Sequence, residues 1–243
     1  MARVDEIAPD VYRICTYAKS FNLQFCQFLV DDDEPLLYHA GMSRMFEGVR
    51  DAVATVIDPK TVRWIAFSHF EADECGALND WLEVAPDAEA MCGVCGAEVS
   101  VSDFANRPPR ALADGETFST GSRRWRFINT PQVPHAWDAG HLFEETQRTL
   151  FCSDLLNHEG DVAPLTEDDV VGPMCEMLVG YDGTPFADYF PYTAKTEAHL
   201  RRLADLEPEL CATMHGSSYW GDGRGAIEEM AQMLRETLRP QPD

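Results

Sequence analysis

The chain has 243 residues, of which 45% are hydrophobic and 10% aromatic, so it can bury the core of one large globular domain, and we predict a single domain over residues 1–243. Its 42 acidic and 19 basic residues give a formal charge of -23, which repels phosphate backbones and argues against nucleic acid as a partner. No apolar stretch reaches the roughly 18 residues of a membrane span, and the first residues do not form a secretion signal, so we expect a cytoplasmic protein that does not bind membranes.

The first half of the chain predicts an antiparallel meander followed by alternating helices and strands. Three successive apolar runs predict strands over residues 11–18, 23–30 and 36–40. Phe46, Val49, Val53 and Val56 recur at helical spacing, and the following Asp58-Pro59 ends that helix. Later segments are predicted as a strand over 62–67, a helix over 76–82, a strand over 88–93 and a short helix over 98–104.

The second half is also rich in predicted strands. They cover residues 116–118, 124–128, 149–152 and 210–214, and helices are predicted over 194–206 and 227–238. Residues 161–192 contain many Pro, Gly and acidic residues, and we expect this long segment to cover the functional site as a lid. Two strand-rich halves, each covered by helices, predict an α/β fold in which two sheets lie between helical layers.

Metal-binding side chains follow several of the apolar segments. His69, Glu71 and Asp73 stand at alternate positions directly after the run 62–67. Three further candidates are expected at the ends of later strands: His135, Asp154 and His215. A metal ion needs several deprotonated ligands on a rigid frame, and strand ends supply such positions. The combination predicts a site for two metal ions.

The motif His69-Phe70-Glu71-Ala72-Asp73-Glu74 and the intervals to the later candidates resemble the metallo-β-lactamase superfamily. Within it, the resemblance is to the diiron branch, which comprises the metal domain of flavodiiron proteins and oxygen-binding diiron proteins. Hydrolytic members usually carry His-x-His-x-Asp-His, whereas glutamate at the second position, here Glu71, marks the diiron branch. The resemblance covers nearly the whole chain and implies a four-layer αββα sandwich. Because residues 216–243 contain no phosphate-binding loop, we expect no flavodoxin domain and no bound FMN.

By this resemblance, the expected cofactor is a pair of iron ions joined by an oxo or hydroxo bridge. The implied ligands are His69, Glu71 and His135 for the first ion, Asp73 and His215 for the second, and Asp154 as a bridge between them. Independently, a carboxylate in place of an imidazole makes the site harder, which favours iron or manganese over zinc.

Glu74 departs from the diiron pattern, because many diiron relatives have histidine at this position. Two alternatives are open: Glu74 binds the second metal through oxygen, or it turns away and water takes the position. We also expect His39 to support the metal ligands, and Tyr219 to wall the pocket together with Trp220, with ordinary packing as the alternative. The remaining histidines are predicted to lie at the surface: His141, His158 and His199.

Cys92 and Cys95 form the one short-spaced couple among eight cysteines. A Cys-x-x-Cys turn can lower a thiol pKa and form a redox disulfide. The alternative is two small thiols that pack at the end of a strand, which is also the role predicted for the other six cysteines.

The leading hypothesis is a non-heme diiron protein that binds and activates O2, reducing O2 or NO with electrons from a separate flavoprotein or rubredoxin-like iron protein. A non-catalytic oxygen sensor is the second hypothesis. A zinc-dependent hydrolase of esters, thioesters or lactones is the third, and Glu71 argues against it. The resemblance also implies a homodimer.

Overall fold

The computed structural model describes residues 2–238, which form two seven-stranded sheets covered by helices. In spatial order the strands of the first sheet are β1 (Arg3–Ala8), β2 (Val11–Ala18), β3 (Leu23–Val30), β4 (Leu36–Tyr38), β5 (Trp64–Ala66), β6 (Glu89–Gly93) and β7 (Arg110–Leu112). The strands from β1 to β4 pair antiparallel, and those from β4 to β7 pair parallel.

The second sheet contains the other seven strands. In chain order they are β8 (Thr117–Ser119), β9 (Arg124–Asn129), β10 (Gly140–Glu144), β11 (Thr149–Ser153), β12 (Leu165–Thr166), β13 (Leu210–Thr213) and β14 (Ser218–Trp220). Their spatial order is β12-β14-β13-β11-β10-β9-β8. The β11–β13 and β12–β14 pairs are parallel, and the other pairs are antiparallel.

Within residues 2–238, eight α-helices cover the sheets. They are α1 (Phe46–Val53), α2 (Ala72–Cys75), α3 (Leu78–Val84), α4 (Val94–Gly96), α5 (Ser102–Phe104), α6 (Val171–Gly180), α7 (Thr196–Ala204) and α8 (Gly223–Leu238). A π-helical turn, Ala97–Val101, joins α4 to α5. None of the helices within residues 2–238 combines the length and the apolar character that crossing a membrane requires.

Among residues 2–238, buried apolar side chains form three cores, one between each pair of neighbouring layers. Phe28 and Phe151 meet between the two sheets, with ring centroids 5.8 Å apart. Trp81 of α3 packs in the core on the outer face of the first sheet, and Met230 of α8 packs on the outer face of the second. A fully buried Phe or Met contributes about 1.5–3 kcal/mol to folding through its apolar surface. The predicted αββα sandwich is therefore confirmed.

The strands β2 and β3 occupy the residues predicted from the apolar pattern, whereas several elements were not predicted. The missed elements are β1, β7, β10, β12, β14, α2, α4 and α6. Gly140 explains the omission of β10, because glycine before a polar residue is typical of a turn. Here the glycine serves a close approach instead, since a Cβ atom at Gly140 would lie 2.3 Å from the Phe127 ring on β9.

Candidate metal centre

The candidate site lies where the carboxyl ends of strands from both sheets meet. His69 follows β5 of the first sheet, while Asp154 and His215 follow the parallel strands β11 and β13 of the second. Backbone hydrogen bonds join the two sheets here, because Gly140 N–H donates to the Ser68 carbonyl at 3.0 Å. The two halves of the chain therefore supply ligands to one place.

A first cluster of ligand atoms forms around Glu71. Its Oε2 atom lies 3.0 Å from His69 Nε2 and 2.9 Å from His135 Nε2. Asp154 Oδ2 lies 3.7 Å from each of the same two nitrogens. Two imidazoles and two carboxylates thus converge on a space that can hold one metal ion.

A second cluster forms on the other side of Asp154. His215 Nε2 lies 3.2 Å from Asp154 Oδ1 and 3.4 Å from Asp73 Oδ2. The two oxygens of Asp154 therefore face different clusters. A carboxylate in this position can bridge two metal ions, which is the role that the resemblance implies for Asp154.

The carboxylates of the two clusters, of which Asp154 is buried and Glu71 is half exposed, give the site a strong attraction for positive charge. Burial lowers the pKa of His69 and of His215, but the surrounding carboxylates outweigh it and raise both to about 10. Hydrogen bonds from His135 and His69 lower the pKa of Glu71 to about 2. For Asp154 the neighbouring imidazoles overcome burial and hold the pKa well below its usual value. Such a donor set fits divalent or trivalent cations with a preference for oxygen and nitrogen ligands.

Two of the imidazoles are held from behind, so that their Nε2 atoms face the clusters. The Nδ1–H group of His215 donates to the Gln24 carbonyl at 2.6 Å. His69 Nδ1 lies 3.1 Å from Ser68 Oγ. Hydrogen bonds on the far nitrogen fix the tautomer and the orientation that a metal ligand needs.

Glu74 is buried beside His69, and one of its oxygens lies within 4.8 Å of ligand atoms of His69 and Asp154, but both of its oxygens accept hydrogen bonds from other groups. Its Oε2 accepts a 2.8 Å hydrogen bond from Ser68 N–H, and its Oε1 accepts one from the Ser153 hydroxyl. Oε1 also lies 3.5 Å from His69 Nδ1, the nitrogen that faces away from the first cluster. This geometry corresponds to the alternative in which Glu74 turns away, and it makes Glu74 a support for His69.

His39 lies behind Glu74. Its Nε2 is 3.2 Å from Glu74 Oε2, and its Nδ1 is 3.4 Å from the Cys26 carbonyl. Burial by itself raises the pKa of Glu74, but the charges of His39 and His69 outweigh burial and lower the pKa to about 2. The carboxyl group is therefore ionised. His39 thus contacts Glu74, the neighbour of His69, and its role as a support for the metal ligands stays a prediction.

The prediction that His135 ends a strand is wrong, because it lies in the loop between β9 and β10. Backbone hydrogen bonds hold this loop in place: Thr130 N–H donates to the Ala139 carbonyl at 3.0 Å, and Gln132 N–H donates to the Ala136 carbonyl at 2.8 Å. The rigid loop replaces the strand end as the support for the imidazole.

Tyr219 does not wall the site, which corrects the prediction made for it. The chain turns at Gly216, whose φ is +100°, and returns as β14 beside β13. Tyr219 is paired with Cys211 and packs on the helical side of the second sheet. It lines a separate cavity with Asp169 and Asp222, because the strand reversal turns it away from the metal ligands.

Two of the histidines predicted at the surface are buried. His141 on β10 is fully enclosed, with Nδ1 2.9 Å from Thr130 Oγ1 and Nε2 3.2 Å from the Cys152 carbonyl. Burial lowers its pKa to about 4, so it is neutral. His158 is also buried, and its Nε2 accepts a 2.9 Å hydrogen bond from Ser217 N–H.

A cavity of about 420 Å³ opens onto the two clusters. Phe21, Phe25 and Met42 line one side, and Tyr181 and Phe186 from the segment 161–192 line the other. The segment thus covers the site, as expected for a lid. The cavity is larger than the space that a diatomic ligand requires, since one water molecule takes about 30 Å³.

Sequence reasoning missed Asn157 and Tyr189. Asn157 Nδ2 lies 3.0 Å from Asp154 Oδ1 and 3.1 Å from the Tyr189 hydroxyl. The ring of Tyr189 also lies 4.7 Å from that of His135. Asn157 stands three residues after Asp154, a spacing that could have indicated it, whereas Tyr189 is one of several aromatic residues in the segment 161–192.

Comparison with known proteins relates the chain to flavodiiron proteins. It is 24% identical over 197 residues to a rubredoxin-oxygen oxidoreductase of Megalodesulfovibrio gigas, a match that covers 80% of this chain and 48% of that protein. It is 22% identical over 212 residues to a flavo-diiron protein of Clostridium acetobutylicum, which covers 85% of this chain and 51% of the relative. The chain therefore spans about half the length of the curated relatives that it matches.

Solved structures share the fold. The rubredoxin oxygen:oxidoreductase of Desulfovibrio gigas superposes with a TM-score of 0.78 at 17% identity, covering 95% of this chain and 61% of that one. The flavodiiron protein of Giardia intestinalis gives a TM-score of 0.76 at 18% identity, covering 96% and 60%. A fragment of a putative diflavin flavoprotein of Nostoc gives 0.78 at 14% identity, covering 97% and 96%.

A family model described as "ODP family beta lactamase" matches residues 23–216. This range includes all six candidate ligands and most of both sheets. The chain therefore belongs to the ODP family of beta-lactamase-fold proteins, and it has the fold of the flavodiiron core.

Proposed function

We propose that the protein is a non-heme diiron protein that binds and activates O2, and that it reduces O2 or NO with electrons from a separate flavoprotein or rubredoxin-like protein. Support comes from the two clusters of ligand atoms and from the similarity to a rubredoxin-oxygen oxidoreductase and a flavo-diiron protein.

The position of Glu71 is the observation that carries the proposal. One of its oxygens contacts the Nε2 atoms of both His69 and His135, so a carboxylate takes the place of a third imidazole in the first cluster. Zinc hydrolases prefer nitrogen and sulfur ligands, whereas iron accepts a site that is rich in carboxylates. This donor set favours iron at the first position and argues against the hydrolase alternative.

In this proposal His69, Glu71 and His135 hold the first iron, Asp73 and His215 hold the second, and Asp154 binds both. When bound, two ferrous ions would supply electrons to O2 or NO. Asp154, whose two oxygens face different clusters, would be a ligand shared by both ions.

The other residues of the site control its access and its hydrogen bonds. Asn157 donates to Asp154 Oδ1 and keeps the bridging carboxylate in position. The Tyr189 ring packs against His135 and closes one side of the cavity. Apolar side chains line much of that cavity, which suits the entry of an uncharged diatomic ligand and limits the water around the metal ligands.

The test begins with elemental analysis of protein purified without added metal, for which the proposal predicts about two irons per chain, by the ligand count above. Anaerobic reduction followed by O2 should then give an absorption change in the visible range. Repeated turnover with a reductase would support reduction of O2 or NO, and a single stable change would favour the oxygen sensor. Zinc in the purified protein together with ester hydrolysis would contradict both.

We further propose that the protein acts as a cytoplasmic homodimer, as the resemblance to flavodiiron proteins implies. Light scattering of the purified protein at working concentration tests this part separately. A monomer would contradict the dimer without affecting the metal assignment.

A further inference from the structure

We propose that Cys15 and Cys26 form a peroxide-reactive dithiol, in which a hydroperoxide oxidises Cys15 and Cys26 closes a disulfide between β2 and β3. The proposal does not depend on which metal occupies the site described above.

The two cysteines lie directly opposite each other on neighbouring antiparallel strands. Directly opposed residues in such a pair have Cα atoms about 4.5–5.5 Å apart. This range falls within the roughly 4.4–6.8 Å that disulfides require. Both side chains face the core between the two sheets, and both are free thiols in the structure. A disulfide can therefore form with little movement of the backbone.

A buried arginine stands beside the pair without a full set of partners. Arg13 precedes Cys15 by two residues on β2, so both side chains lie on the same face of the strand. Its Nη2 donates to Gln24 Oε1 at 2.7 Å and to the Gly216 carbonyl at 2.6 Å. Its Nε and Nη1 are buried and have no hydrogen-bond acceptor among residues 2–238. A buried cation with unused donors favours an anion beside it, and the Cys15 thiolate can be that anion.

The two thiols have opposite electrostatic environments. A hydrogen bond from the Cys26 thiol lowers the pKa of Cys15 to about 7, against the effect of burial and with the help of the Arg13 and Arg3 charges. Burial raises the pKa of Cys26 well above its usual value. Cys15 is thus the attacking thiolate, and Cys26 is the thiol that follows.

Exposure assigns the same roles. Cys15 is 4% exposed and Cys26 is 0% exposed, so only a small oxidant can reach Cys15, and none reaches Cys26 directly. Such an oxidant is hydrogen peroxide or a small organic hydroperoxide.

The chemistry balances in two steps. The Cys15 thiolate attacks one peroxide oxygen, the O–O bond breaks, and the leaving hydroxide takes a proton to become water, or alcohol from an organic hydroperoxide. The Cys26 sulfur then attacks the sulfenic acid of Cys15, the S–O bond breaks, and the hydroxyl group leaves as water with the proton of Cys26. Two thiols lose two electrons, and the hydroperoxide gains them.

The spacing in the sequence suggests Cys92 and Cys95 as the redox couple instead. These two cysteines therefore provide a matched internal control. Burial raises the pKa of Cys92 to about 12, and burial and Asp138 also raise that of Cys95. These two thiols stay protonated near neutral pH and should react slowly.

The experiment treats the purified protein with one equivalent of hydrogen peroxide, alkylates the remaining thiols and maps the peptides. We expect a cross-linked peptide that contains Cys15 and Cys26, lighter by two hydrogen atoms, with Cys92 and Cys95 alkylated. The same result is expected after zinc replaces the native metal, because the step needs no iron. Alkylation of both Cys15 and Cys26, a Cys92–Cys95 link formed first, or a cross-link that appears only with iron would overturn the proposal.

Variants separate the roles of the two thiols. In Cys26→Ser, Cys15 should stop at the sulfenic acid and react with dimedone, whereas Cys15→Ser should leave Cys26 unoxidised and Cys95→Ser should form the cross-link as the wild type does. Oxidation of Cys26 in Cys15→Ser would contradict the assignment. Peptide mapping of the wild type remains decisive if a variant does not fold.

Discussion

Glu74 Oε2 lies 3.2 Å from His39 Nε2, and both side chains are almost completely enclosed behind His69. A carboxylate at a position where diiron relatives often have histidine thus faces the interior of this protein. Glu74 contacts His69 of the first cluster, whereas the second cluster consists of His215, Asp73 and Asp154.

Glu74→Gln is therefore expected to lower stability without removing the second metal. The amide keeps one oxygen and places an NH2 group at the other, so one of the two hydrogen bonds, from Ser68 N–H to Oε2 or from the Ser153 hydroxyl to Oε1, loses its acceptor, which should cost about 1–3 kcal/mol in the free energy of unfolding. Metal analysis of the saturated variant and urea unfolding give the two measurements. Loss of one metal per chain with unchanged stability would show that Glu74 is a ligand after all.

Glu71→His should shift the metal preference of the first cluster toward zinc. Glu71 is the residue that distinguishes this motif from the one with two histidines, and the substitution restores an imidazole between His69 and His135. Protein refolded with equal iron and zinc should take up a higher proportion of zinc than the wild type. Glu71→Gln is the control, because it removes the charge without adding an imidazole, and an equal shift in both variants would argue against the effect of ligand type.

The stability of the metal-free protein should fall as the pH rises through the alkaline range. The pKa values of His69 and His215 are about 10 in the folded chain and 6.5 in the reference state. A histidine whose pKa is raised on folding stabilises the folded state. This contribution is complete below about pH 6.5 and is lost by about pH 10. The two imidazoles share Asp154, so their contributions to stability do not add fully. A shift of one pKa unit corresponds to about 1.4 kcal/mol, and we expect a total loss of a few kcal/mol.

Urea unfolding of the metal-free protein at several pH values measures this loss. Asp154 and Glu71 have lowered pKa values, so their contribution is lost only in acid and stays constant over this range. His215→Asn should reduce the slope, because one of the two titrating groups is then absent. Stability that is flat over the range in the metal-free wild type would refute the prediction.

Tyr189→Ala should open the site to chelators, whereas Tyr189→Phe should not. The ring packs against His135 at 4.7 Å and closes the cavity, while the hydroxyl contributes one hydrogen bond with Asn157. We expect faster removal of metal by a chelator in the alanine variant, and only about 1 kcal/mol of lost stability in the phenylalanine variant. Val179→Ala on the exposed side of α6 is the matched control. Equal chelation rates in all three variants would show that the ring does not limit access.

The sequence predicted those features of the fold and site that depend on local patterns. Apolar runs gave β2 and β3 at their observed bounds, and the spacing of His69, Glu71 and Asp73 predicted one group of ligands. The apolar pattern did not predict β10, because glycine is typical of turns, whereas Gly140 makes room here for the Phe127 ring. Sequence reasoning also placed His135 at a strand end, since a loop held by backbone hydrogen bonds leaves no apolar pattern.

The direction of each side chain was decided only by the tertiary structure. Glu74 turns inward because Ser153, 79 residues later in the chain, offers a hydroxyl group to its carboxylate. Cys15 and Cys26 are neighbours because the register of two strands places them opposite each other. Cys92 and Cys95 are close in sequence, but their raised pKa values keep both thiols protonated. Residue types and their spacing thus determined which chemistry the chain can carry. Contacts between distant segments decided which groups perform it, because charge, burial and hydrogen bonds depend on neighbours in space.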